Sequence, residues 1–156
     1  MSFTHLDEAG HARMVDVTEK SPTIRSATAT AHVACSAEIV AALRDNTVPK
    51  GDVLAVSRVA GIAAAKQTPA LLPLAHVIGV HGASVDLDVV DSGVNIVATV
   101  RTADRTGVEM EALTAASVAA LSVVDMVKGM DKATEITHVR IERKTGGKSG
   151  EWVRSH

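Results

Sequence analysis

Residues 26–35 (SATATAHVAC) alternate small apolar with polar side chains, the period of a strand with one covered face. Ser36 then offers a hydroxyl to cap a short helix over residues 37–45, and Glu38 in its first turn suits the positive helix end. Pro49 breaks the chain. Residues 52–67 (DVLAVSRVAGIAAAKQ) are apolar around most of a helical surface, as in a helix packed on several sides. Gly61 inside it costs about 1 kcal/mol relative to Ala, so the pattern predicts a close approach of another backbone there. Pro69 and Pro73 bracket a short connection. Residues 83–90 and 94–102 alternate again around Asp91-Ser92-Gly93, a turn signal, and predict a hairpin. Residues 107–128 carry the longest helical pattern, with Leu113, Ala116, Ala120, Leu121, Val124 and Val127 on its apolar side and Gly129 as a stop. Residues 135–143 (EITHVRIER) read as a last strand.

The predicted order is strand, helix, helix, strand, strand, helix, strand. With the second helix taken as an insertion, this is the β-α-β-β-α-β pattern of a ferredoxin-like α+β fold, an antiparallel sheet packed on helices. A single domain over residues 1–156 is expected, with a loose N-terminal arm (1–25) that has no periodicity and a Gly-rich mobile tail (145–156).

Composition narrows the function. The only aromatics are Phe3 and Trp152, near the two ends, so the core is expected to be aliphatic. The stacking platforms of single-strand nucleic-acid binders are missing from the body of the chain. Net charge is −2, which gives no global pull on polyanions, so an anion site has to come from a local cluster of Lys and Arg. The single cysteine, Cys35, excludes an intrachain disulfide and a cysteine-rich zinc site. No run of roughly 18 uninterrupted apolar residues suggests a membrane span, and the polar N-terminus has no signal-peptide apolar region. A soluble cytoplasmic protein, with no nucleic-acid or membrane partner, is expected.

Several segments set polar groups into apolar surroundings. Asp125 and Lys128 are three apart on a helix and share a face; the spacing alone also fits a plain surface ion pair. Glu109 and Glu111 occupy the first turn of the same helix, where they either complement its dipole or accept hydrogen bonds from a guanine-like edge. His76 and His81 are five apart, yet no third ligand stands nearby, so no metal site is assigned; His76 is read as a loop histidine or a substrate donor. Gly146-Gly147-Lys148-Ser149-Gly150 looks phosphate-friendly, but a P-loop needs glycine where Glu142 stands, and no helix pattern follows. Glu109 and Asp125 are 16 residues apart, about 24 Å along one helix. If both ends serve one site, they come from different subunits, which predicts an oligomer with interfacial sites.

Taken together, Met14-Val15-Asp16-Val17, Lys50-Gly51-Asp52, Ala64-Ala65-Lys66, Leu72-Pro73-Leu74-Ala75-His76, Thr106-Gly107-Val108-Glu109-Met110-Glu111-Ala112-Leu113-Thr114, Asp125-Met126-Val127-Lys128 and Gly146-Gly147-Lys148-Ser149-Gly150 resemble, in order and over nearly the whole chain, the MoaC family of cyclic pyranopterin monophosphate synthases in molybdenum-cofactor biosynthesis. The resemblance implies a ferredoxin-like fold, a homohexamer built as a trimer of dimers, and a lyase that converts 3′,8-cyclo-7,8-dihydroguanosine 5′-triphosphate to cyclic pyranopterin monophosphate and pyrophosphate, downstream of a radical enzyme. It implies Asp125, Lys128 and Lys50 as catalytic residues. Leu74, Ala75 and His76, with Met110 and Glu111 from a neighbouring subunit, are implied as substrate contacts; Glu109 joins them as a candidate. Arg25, Lys66 and Lys144 are implied for the phosphates, and Lys50, with one or more of Lys66, Lys144 and Lys148, is expected to hold the triphosphate as pyrophosphate leaves. No cofactor is required, though Mg²⁺ can accompany the triphosphate. The chain departs from the family pattern at Ala75 and Val77, which flank His76 where the family usually has Cys-His-Pro, and at Val124 and Val127 beside the Asp-Met-x-Lys segment. The altered His76 loop is the feature that would suit the alternative, a non-catalytic nucleotide-binding paralogue on the same fold.

Overall fold

The computed structural model describes residues 4–156; the first three residues of the expected arm, Phe3 among them, lie outside the described residues. The elements run β1 (Thr23–Ala34), α1 (Ala37–Asp45), α2 (Val53–Ala65), α3 (Thr68–Leu71), β2 (Gly82–Val90), β3 (Gly93–Asp104), α4 (Glu109–Val127), β4 (Glu135–Thr145) and β5 (Trp152–Val153). The sheet order is β2-β3-β1-β4-β5, and every neighbouring pair is antiparallel. The first four strands thus have the order and directions of the ferredoxin-like sheet that the pattern predicted.

The alternation in β1 divides two faces. Ala27, Ala29, Ala31 and Val33 are buried against the helices. The opposite face is knitted by polar cross-strand pairs: the hydroxyls of Ser26 and Thr145 lie 2.6 Å apart, those of Thr28 and Thr99 3.0 Å, and Thr30 donates to Glu142 at 2.7 Å. On α4, Ala112, Ala115, Ala116, Ala119, Ala120 and Val123 are fully buried. Length and composition alone would let α4 cross a bilayer; in this fold it covers the sheet.

One assignment changes. The prediction treated α2 as the insertion, but α2 is the helix that packs along α4 and against β2, and α1 is the small peripheral one. Its residues explain why. Ser57 donates to Ser122 at 2.9 Å, and a Cβ built on Gly61 would lie 2.9 Å from the Ala115 carbonyl oxygen and 3.1 Å from the Ala119 Cβ. The two helices therefore run antiparallel in close contact, as the glycine suggested. Gly61→Val is expected to lower the unfolding free energy by about 2 kcal/mol, since overpacking outweighs the helix-propensity gain; a urea titration showing unchanged or higher stability would contradict this contact.

Two short elements had no counterpart in the pattern. α3 is one turn with Pro69 in its first turn. The expected mobile tail returns as β5, where Trp152 pairs with Lys144 and Val153 with Arg143. The arm also has structure of its own: Leu6 bridges Ala12, the Asp7 carboxylate accepts from the amides of Ala9 and His11, and Arg105 donates to the Lys20 carbonyl at 3.0 Å. Side-chain caps of this sort leave no periodic signal.

Candidate active site

The candidate residues gather at the two ends of α4. At its C-terminal end, Lys128 follows the last helical residue and keeps its amide on the Val124 carbonyl at 2.8 Å. Its Nζ donates to Asp125 Oδ1 at 2.7 Å. Lys50 arrives from the Pro49-Lys50-Gly51 turn, which Asp52 joins to α2 by capping the Ala55 amide. Lys50 Nζ donates to the Asp125 carbonyl oxygen at 2.9 Å and lies 3.7 Å from Oδ2. The hydrogen bond from Lys128 and the charges of Lys128 and Lys50 hold the Asp125 carboxyl below the usual range, so it stays ionised at any pH near neutral. The stabilisation it lends is present above the unfolded carboxyl pKa and is lost only as pH falls through the lowered one. All three side chains are more than half exposed, and none lines either of the two hollows at the other end of α4.

At the N-terminal end lie two adjoining hollows. One, of about 350 Å³, is lined by Leu74, Ala75, His76, Met110, Glu111 and Glu109, with Val15, Val17 and Lys20 of the arm across it. His76 Nε2 bonds the Val15 carbonyl. A carbonyl only accepts, so Nε2 carries the proton and the ring's orientation is set. Glu111 is 3% exposed, and burial pushes its carboxyl up, with the Glu109 charge adding to the rise; its own amide and His76 act the other way. The second hollow, of about 500 Å³, is lined by Lys20, Arg25, Lys144 and Lys148, with Glu109, Gly107 and Gly147. Gly146 and Gly147 both have left-handed φ, of +87° and +74°, and the Arg25 guanidinium lies where a Gly147 side chain would stand. Arg25 Nε is buried with no partner among the described residues. Four cations around one acid make the local anion site that the net charge of −2 hides.

The structure therefore brings Leu74, Ala75, His76, Glu109, Met110, Glu111, Arg25, Lys144 and Lys148 together within one chain. The resemblance had drawn Met110 and Glu111 from a different subunit than the His76 loop; in this fold α2 runs antiparallel to α4, so the loop after it returns to the α4 N-terminus. Lys66, which ends α2, is exposed and lines neither hollow. Lys20 is absent from the sequence candidates because it lies in the aperiodic arm. Of the departures, Val77 is 86% exposed and Val127 fully buried in the core, with Val124 packed against it. His81, the other histidine of the discarded metal pair, has its Nδ1 accepting from the Ala103 amide. Among the described residues no three His, Cys, Asp or Glu side chains gather as metal ligands.

Glu111→Gln offers a check on this electrostatics. The folded state holds the Glu111 proton to higher pH than the unfolded chain does, so stability falls as pH rises above the unfolded carboxyl value of about 4.3. Removing the charge is expected to stabilise the protein at pH 7–8 by about 1 kcal/mol, roughly 3 °C in Tm, with no gain near pH 4. Melting curves with the same Tm difference at both pH values would contradict it.

The chain is similar to known proteins over nearly its whole length. The chain is 62% identical over 155 residues to a protein of a Nocardioides species named cyclic pyranopterin monophosphate synthase, covering 97% of this chain and 95% of the relative. It is 61% identical over 153 residues to one of the same name from Streptomyces coelicolor (98% and 90%), and 52% identical over 156 residues to one from Geobacter sulfurreducens (99% and 98%). The MoaC family model matches residues 14–147, a span that takes in the His76 loop, both ends of α4, Lys50 and the four cations apart from Lys148. The chain belongs to the MoaC family.

Proposed function

We propose that the chain is an enzyme of molybdenum-cofactor biosynthesis, a lyase that converts 3′,8-cyclo-7,8-dihydroguanosine 5′-triphosphate to cyclic pyranopterin monophosphate with release of pyrophosphate. The observation that carries this reading is the joining of two hollows, one bounded by His76 and Glu111 and the other by four cations, at one end of α4. That pair suits a molecule with a hydrogen-bonding heterocycle at one end and a polyphosphate at the other. Leu74, Ala75, His76, Met110 and Glu111 meet the heterocycle. Arg25, Lys144, Lys148 and Lys20 meet the phosphates and stabilise the charge that develops as pyrophosphate leaves. Lys66, exposed at the end of α2, is a further phosphate contact for a site completed by a neighbouring subunit.

Lys128 is the general acid-base, oriented by Asp125, and Lys50 is held against the same carboxylate. The reaction rearranges one bound molecule, so positioning is the larger demand and no redox cofactor is required. Mg²⁺ enters, if at all, as the counter-ion of the triphosphate. Since Lys128 and the hollows stand at opposite ends of a helix of 19 residues, about 28 Å long, the working site combines the C-terminal end of α4 from one subunit with the N-terminal end from another. A two-fold pair with antiparallel α4 helices makes two such sites at once. The family's trimer of dimers is the assembly we assign, working in the cytoplasm on the product of a radical enzyme.

The test is turnover of the cyclised guanosine triphosphate by the purified chain, with pyrophosphate and the pterin followed together. Both products are expected in equal amounts. Binding of the nucleotide without either product would replace this reading with the non-catalytic paralogue and point to Ala75 and Val77 as the residues to exchange.

A further inference from the structure

Glu109 is the one acid in the cationic hollow. As the first residue of α4 it sits at the positive helix end, where a carboxylate is favoured, yet its side chain is folded back over Gly107 and lies 3.3 Å from Lys144 Nζ on β4. Both side chains are only 28% exposed, so solvent screens this pair less than it screens the cluster at Asp125. The folded-back position depends on Gly107: a Cβ there would collide with the Glu109 carboxylate. Among the described residues no other carboxylate lines the hollow.

Resting on the polyphosphate reading of this hollow, we propose that Glu109 is its internal counter-anion and weakens its hold on phosphate ligands that take Lys144, free pyrophosphate among them. With the hollow empty, Glu109 neutralises Lys144 and offsets the mutual repulsion of the four cations. A phosphate chain that takes Lys144 has to displace this carboxylate, and the cost is the same for every ligand that does so. A substrate held also by the heterocycle hollow has binding energy to spare for that displacement. Free pyrophosphate does not, so Glu109 weakens the hold on the leaving product and speeds its departure. The residue thus works through competition for Lys144, as an aid to product release outside the proton-transfer chemistry.

The experiment is calorimetric titration of the full chain with sodium pyrophosphate at low ionic strength. Glu109→Gln is expected to tighten pyrophosphate binding about fivefold, the size of a partly shielded ion pair. Gly107→Ala keeps the charge but evicts the carboxylate, and should tighten binding in the same direction; since its neighbour there is the flexible end of a side chain, the fold tolerates it. Adding Lys144→Met to Glu109→Gln should remove the gain. Pyrophosphate affinity unchanged or lowered in both single variants overturns the proposal. So does a gain that survives loss of Lys144. Turnover of the cyclised nucleotide by the unmodified chain is measured beside these titrations, so failure of the synthase reading and failure of the counter-anion are separate results.

Discussion

Lys128→Ala is expected to cut turnover about a thousandfold while leaving the melting temperature unchanged, a loss in the range that removal of a general acid-base produces. The fold should not notice. Lys128 is exposed, its amide bond to Val124 is retained by alanine, and its side-chain partner among the described residues is the exposed Asp125 carboxylate. The informative companion is Lys128→Arg. Arginine keeps the positive charge beside Asp125 but does not give up its proton near neutral pH. If Lys128 moves protons, both variants are inactive. If the arginine variant runs near the unmodified rate, Lys128 serves as a fixed charge and the acid-base role passes elsewhere. Full activity in Lys128→Ala removes the residue from the mechanism.

Mixing two impaired variants is expected to restore activity above that of either alone. Lys128→Ala damages the C-terminal end of α4, and Lys144→Ala, which should lose at least about tenfold for want of a phosphate contact, damages the hollow at the other end. If each working site draws its two ends from different subunits, a mixed pair carries both lesions in one site and none in the other. Random re-pairing makes half the pairs mixed, so about a quarter of the unmodified activity should return. The measurement is turnover after the two proteins are partly unfolded and refolded together, with subunit exchange checked by a mass-tagged copy. Exchange without recovery would place both ends of α4 in separate roles, or the site within one chain.

Much of this architecture is legible in the chain itself. The alternation in residues 26–35 settles which side of β1 faces the helices, because side chains in a strand point to opposite faces in turn. The length of the helix over residues 107–128 separates Glu109 from Asp125 whatever surrounds it. Asp125 and Lys128 share a face by helical geometry alone, and Gly61 announces a close contact because nothing else rewards a glycine inside a helix. Where the pattern failed, the reason lies in short or aperiodic segments. α3 is one turn and β5 two residues, too brief for any period, and β5 exists because β4 offers it an edge. The arm is shaped by Asp side chains capping its own backbone and by Arg105 and His76 holding its carbonyls, bonds that span as many as 85 positions of sequence.

By itself, then, the sequence determined the longer elements, the ferredoxin-like order, the aliphatic core and the charged pair at the end of α4, since each depends on spacing within one segment. Only the tertiary structure decided that α2 rather than α1 covers the sheet, that Lys50 reaches Asp125 across 75 positions, and that Lys20, Arg25, Lys144 and Lys148 surround one acid. Those contacts form between segments distant in the chain. They are chosen by which apolar faces bury best against one another, and the charged side chains come together because the backbone beneath them has already been placed.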